Sequence, residues 1–204
     1  TAFEDMKLRC LNGTHSSLAY LGYLGGLETI SDTVAEPAYA AFVKSLWTNE
    51  IIPGLTPPQG VDLQAYADEL FARYENPAIR HLTWQIAMDG SQKLPQRILT
   101  QLENGLEAGR PMSGLILAVA AWMRYVGGVD ENGAVIDVRD PMAERLKSLS
   151  DTAATTDDKV QALLSVGEVF PDSLRENDAF VAAVTAAFDG LATQGARAMV
   201  GAVK

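Results

Sequence analysis

The stretch SGLILAVAAWMRY, residues 113–125, is apolar almost all the way round a helical projection. A surface helix keeps one polar face, so a helix of this kind must be covered by others. The flanking sequence supplies them. Leu94, Ile98, Leu99, Leu102 and Leu106 fall on one side of a helix that Ser91 can cap. Leu63, Tyr66, Leu70, Phe71 and Tyr74 form the inward face of another, opened by Asp62 and closed by Asn76-Pro77. Pro37 through Trp47 reads as a further helix, and Pro53, Pro57 and Pro58 break the pattern after it. Nearer the N-terminus, Leu8, Leu11, Leu18, Leu21 and Leu24 recur at threes, fours and sevens, one buried stripe with Asn12-Gly13 as its weak point.

Downstream, Asp140-Pro141, Asp157 and Asn177 each predict a helix start. The exception is Asn132-Gly133 between Val129 and Val135-Ile136, a turn signal that predicts a small β-hairpin near residues 129–138. The stretch leading to Gly90 has no clean period and stays unassigned. The expected fold class is mainly α, a single multi-helical domain over residues 1–204. The first segment already reads as a core helix at Thr1, which suggests a piece of a longer protein.

Composition excludes several functions. Hydrophobic residues make up 48% and charged residues 21% of 204, the balance of a chain that folds. The net charge of -10 repels phosphate backbones, so nucleic acid is not an expected partner. An anionic metabolite would need the few cations gathered in one pocket. Cys10 is the single cysteine, and no run is apolar and long enough to span a bilayer, so a cytoplasmic location without membrane contact is expected. With His15 and His81 the only histidines, no zinc-ligand spacing exists, and no metal is expected. Gly22, Gly25 and Gly26 do not form GxGxxG, so no dinucleotide fingerprint is present.

What remains is Lys7, Asn12 and His15. On an uninterrupted helix His15 lies roughly 80° round from Lys7 and Asn12 roughly 140°, which puts the three on one broad side. A partly desolvated amine can move a proton near neutrality, and amide and imidazole groups can hold an oxygen whose charge changes during reaction. A solvated lysine beside a core histidine would have the same spacing.

KLRCLNGTH, residues 7–15, resembles the Lys-x4-Asn-x2-His signature of the mannitol dehydrogenase family, polyol-specific long-chain dehydrogenases. SSLAYLGYLGG (16–26), NPAIRH (76–81), WQIAMDGSQKLPQR (84–97) and AWMRYVGGVD (121–130) extend the likeness, and the later segments are most similar to hexuronate-handling members. The resemblance implies a helical domain like the C-terminal domain of 6-phosphogluconate dehydrogenase. It also implies an oxidoreductase using NAD, bound mainly by an N-terminal nucleotide-binding domain that this chain lacks. Lys7 would be the general acid/base, with Asn12 and His15 on the reacting oxygen. Where polyol-oxidising members carry an arginine eight residues before a substrate-site lysine, Gln85 precedes Lys93. A hexuronate brings a carboxylate, which calls for a cation. Lys93, Arg97, Arg80 and Arg124 are the candidates, Lys93 first by position in the family and Arg97 next, one turn on. A polyol or ketose substrate is the alternative, and a non-catalytic binding or oligomerisation domain is a third possibility.

Overall fold

A computed structural model describes residues 1–203 and is helical nearly throughout. Its centre is the helix Ser113–Val126, in which only Ser113 and Arg124 escape burial. It packs against the helices Thr14–Leu24 and Asp178–Gln194, as its all-round apolar surface requires. A buried helix leaves its first N–H groups without water, and here a side chain from another helix takes them. Glu50, 4% exposed, accepts from Gly114 N–H (3.0 Å) and Leu115 N–H (2.9 Å). Burial pushes the Glu50 carboxyl up to about 7, against the two backbone donors, which pull it down. A Cβ on Gly114 would sit 2.5 Å from both Glu50 Oε2 and Leu46 Cδ2, so the cap needs glycine there.

Three of the surrounding helices contain a wide π segment. Lys7–Gly13 lies between Ala2–Met6 and Thr14–Leu24, Leu46–Ile51 follows Pro37–Ser45, and Pro95–Leu99 lies between Gly90–Leu94 and Thr100–Glu107. A π turn disturbs the regular ladder of backbone bonds, and side chains from packed neighbours and from the same helix complete it. Trp47 Nε1 and Thr14 Oγ1 donate to Cys10 O at 2.9 and 2.8 Å. The Tyr74 hydroxyl donates to Leu11 O at 3.0 Å. In the third segment Pro95 has no N–H to offer, and the Thr100 N–H reaches back five residues to Pro95 O.

Asn12-Gly13 therefore does not break the first helix, which runs continuously through residues 2–24. Gly13 instead permits a close crossing: a Cβ there would meet Arg97 O at 2.7 Å and Gln101 Nε2 at 2.8 Å. Ser91 does not cap its helix. Asp89, in the left-handed region at φ 57°, precedes the first turn, and Ser91 donates through N–H and hydroxyl to Asp140. Because Asp140 also accepts from Met142 N–H, Pro141 and Met142 form a turn and regular helix begins only at Ala143. Thr155, not Asp157, caps Thr156–Leu164, whereas Asp62 and Asn177 cap the helices expected of them. The Asn132-Gly133 turn forms, with Gly133 at φ 82° and the Asp130 carboxylate accepting from Asn132 and Ala134 N–H. Its hairpin shrinks to one bridge, Val129 to Val135.

Candidate active site

The first π segment changes the phase of the groups it carries. Its hydrogen bonds span five residues, so groups five apart lie nearly above one another. Lys7 and Asn12 thus share a face more closely than the 140° of an ordinary helix allows. Lys7 is exposed, while Asn12 and His15 are half-buried. The desolvation expected of Lys7 is not supplied by this chain's own helices.

His15 is the most constrained of the three. Its ring stacks on Tyr74 with centroids 5.5 Å apart and planes at 6°, and meets the edge of His81 at 5.3 Å. Burial, then repulsion from His81 and the charges of Arg97, Lys93 and Arg73, depress its pKa to about 4. At neutral pH it is an uncharged imidazole with one donor and one acceptor nitrogen. Its Nε2 is buried with no hydrogen-bond partner among the described residues. The ring borders a cavity of about 40 Å³ together with Arg73, Tyr74, Ile79 and His81.

Across the Gly13 crossing stand Lys93 and Arg97, both half-buried. Arg97 Nη1 donates to Ser16 Oγ at 3.1 Å. Burial lowers the pKa of both cations, and the Arg97 charge lowers that of Lys93 further. Neither takes part in an ion pair among the described residues. Two partly desolvated cations in no direct ion pair, with Asp89 acting on Lys93 only from a distance, have the chemistry to attract an anion.

The other two candidate cations are placed elsewhere. Arg80 is exposed and pairs with Glu28 at 3.7 Å. Arg124, in the last turn of the central helix, lies over the Phe188 ring at 5.7 Å. Sequence reasoning missed Ser16, Arg73 and His81 as neighbours of the site. His81 closes the NPAIRH segment, and that position was its only signal.

Among the described residues, no group of three or more His, Cys, Asp or Glu side chains is placed to hold a metal ion. Among the described residues, no helix is long and apolar enough to cross a membrane. A larger concavity, about 730 Å³, lies away from the site, between the central helix, the helix Asp178–Gln194 and the short helix Ala196–Ala202. Its walls are mostly Ala, Met, Leu and Phe side chains, and none of the groups above reaches it.

Comparison with known proteins gives this arrangement its context. The profile described as mannitol dehydrogenase C-terminal domain matches residues 1–192. D-mannonate oxidoreductase of Escherichia coli (strain K12) is 52% identical over 201 residues, 98% of this chain and 41% of that protein. Mannitol 2-dehydrogenase of Phaeosphaeria nodorum is 35% identical, over 97% of this chain and 34% of its own length. The Pseudomonas fluorescens mannitol 2-dehydrogenase, solved as a ternary complex with NAD and D-mannitol, superposes with a TM-score of 0.92 at 32% identity. That alignment covers 98% of this chain and 40% of the solved one. The chain thus spans well under half the length of the relatives it matches.

Proposed function

Because the chain belongs to the mannitol dehydrogenase family and corresponds to its C-terminal domain, we propose that it forms the substrate-binding half of an NAD-dependent oxidoreductase interconverting D-fructuronate and D-mannonate. The observation that carries the choice of a carboxylated substrate is the pair Lys93 and Arg97, half-buried beside His15 and in no ion pair among the described residues. A polyol offers such cations only hydroxyls, whereas a carboxylate matches the guanidinium fork. The 52% identity to D-mannonate oxidoreductase, against 35% to a mannitol 2-dehydrogenase, favours the same choice.

Each residue then has a task set by its chemistry. Lys93 and Arg97 hold the carboxylate end of the substrate. Asn12 and His15 hold the oxygen at the reacting carbon, and the depressed pKa of His15 keeps the imidazole neutral, a hydrogen-bond donor that does not take the proton for itself. In the reducing direction Lys7 gives its proton to that oxygen as alkoxide character develops. In the oxidising direction Lys7 takes the proton back. When bound, the nicotinamide supplies or accepts the hydride, and the donor set of amine, amide, imidazole and guanidinium performs the rest without a metal.

The residues present fit the substrate and not the dinucleotide. Gly25 and Gly26 close the helix Thr14–Leu24 at its C-terminal end, the wrong end of the dipole for a pyrophosphate. Cofactor binding is therefore assigned mainly to an N-terminal nucleotide-binding domain of the same polypeptide, docked over the open face that bears Lys7. Docking of that domain would also desolvate the amine. We place the enzyme in the cytoplasm, where Cys10, buried with its thiol pushed up to about 12, stays inert.

The test is turnover by the full-length enzyme of D-fructuronate against D-fructose. The proposal expects a kcat/KM clearly higher for fructuronate. A preference for fructose would contradict it and favour the polyol reading. Residues 1–204 alone are expected to fold but to show neither micromolar NADH binding by calorimetry nor turnover.

A further inference from the structure

We infer that Ser16 is a positioning residue for the anion subsite, its buried hydroxyl fixing the Arg97 guanidinium at a set distance from the oxygen-binding pair Asn12 and His15. The inference rests on the reading of Lys93 and Arg97 as the carboxylate site.

Three hydroxyl residues follow one another closely in the THSS segment, and one of them behaves differently. Thr14, whose hydroxyl also meets the Tyr74 hydroxyl at 2.9 Å, and Ser17 donate back along their own helix, to Cys10 O and Gly13 O, each at 2.8 Å. This is the ordinary use of a hydroxyl within a helix. The Ser16 hydroxyl makes no bond back to its own helix among the described residues and accepts from a charged group of another helix, Arg97 Nη1, at 3.1 Å. Ser16 is 1% exposed, so this is a built interior contact and not a meeting in solvent.

The type of partner matters as much as its place. A carboxylate beside Arg97 would fix the side chain but neutralise it, and a substrate anion would then meet an ion pair. A serine fixes one N–H of the fork and leaves the charge and the remaining donors available. A long side chain that is already held loses less freedom when the ligand arrives. Position follows from the chain as well. Ser16 is the residue after His15, so the Arg97 head is registered to the oxygen-binding groups through a single rigid helix. The Gly13 crossing, where a Cβ would lie 2.7 Å from Arg97 O, fixes the backbone end of the same residue. Head and backbone of Arg97 are both referenced to the helix that carries the chemistry. The distance between carboxylate anchor and reacting oxygen is thereby set, and this distance separates a hexuronate from a neutral sugar.

The experiment is a double-mutant cycle in the full-length enzyme with D-fructuronate, comparing wild type, Ser16→Ala, Arg97→Ala and the double variant. Loss of a hydrogen bond to a charged group predicts a KM raised about tenfold in Ser16→Ala, with a smaller change in kcat. In the Arg97→Ala background, Ser16→Ala should produce no further rise, because the group it positions is gone. Ser16→Cys, close in size and a weak acceptor, should restore part of the loss and provides the reading if the alanine variant folds poorly. Equal rises in both backgrounds would show a merely structural role and overturn the inference. A raised KM in Arg97→Ala with none in either Ser16 variant would overturn it while leaving the anion site intact. An unchanged KM in Arg97→Ala would overturn the anion site and this inference together.

Discussion

Replacing Gly13 by alanine introduces a methyl group where two helices touch. The new Cβ would lie 2.7 Å from Arg97 O and 2.8 Å from Gln101 Nε2. Ordinary carbon contacts need about 3.5 Å or more, so something must part by most of an ångström. The Gln101 amide can swing aside, but it then gives up its 2.7 Å bond to Arg97 O, worth about 1 kcal/mol. Arg97 O is backbone and can move only with its helix, an overpacking strain of about 2 kcal/mol. Against this, alanine is about 1 kcal/mol better than glycine inside a helix. The contact outweighs the propensity, and the net expectation is destabilisation by about 2 kcal/mol. Urea unfolding of the chain followed by circular dichroism measures it directly. The same separation should weaken the Arg97–Ser16 bond and raise KM for fructuronate in the full-length enzyme. A Gly13→Ala protein as stable as wild type, or stabilised by about 1 kcal/mol as propensity alone predicts, would refute the close crossing and with it the registration of the two site walls.

His15 has a folded pKa of about 4 against 6.5 in the unfolded chain, so the unfolded state takes the proton first. Stability present above pH 6.5 is lost as pH falls toward 4, by up to about 3 kcal/mol, and His15→Phe should flatten that limb in urea titrations at pH 7 and pH 4.5. Glu50 has the opposite sign: its carboxyl is raised from 4.5 to about 7, so its contribution is full below 4.5 and lost as pH rises through 7. Glu50→Gln should remove up to about 3 kcal/mol of that alkaline loss, seen as a smaller difference in unfolding free energy between pH 5 and pH 7.5. Trp47→Phe withdraws the indole donor from Cys10 O in the first π segment. It should destabilise the chain by about 1 kcal/mol beyond any change in packing, since Thr14 Oγ1 still donates to Cys10 O, measured as a lower urea midpoint.

The apolar run at residues 113–125 identified the buried helix because burial on every side leaves no polar stripe to find. Asp62 and Asn177 were legible as caps because their signal is local, a side chain accepting from N–H groups two or three residues on. The π segments were not legible. Their stability depends on donors such as Trp47 and Tyr74, which reach them only after the helices pack. Without that phase change the spacing of Lys7 and Asn12 looked poorer than it is. Ser91 resembled a cap because serine favours that position, but Asp140, distant in sequence, claims its hydroxyl. In the site, Lys7, Asn12 and His15 came from a motif within one helix, whereas Ser16, Arg73 and His81 join through tertiary contacts that no local pattern encodes. For the cations, sequence named four and packing separates them: Arg97 faces Ser16, while Arg80 and Arg124 are engaged by Glu28 and Phe188.

The proton-transfer role of Lys7 is the central claim, and the most direct measurement is kcat of a full-length Lys7→Ala enzyme with D-fructuronate and NADH across the pH range. Loss of a positioned acid/base predicts a fall of about 10²- to 10⁴-fold at neutral pH, together with loss of the ionisation that the amine contributes to the wild-type profile. A Lys7→Ala enzyme with near-normal turnover and an unchanged pH profile would contradict the account.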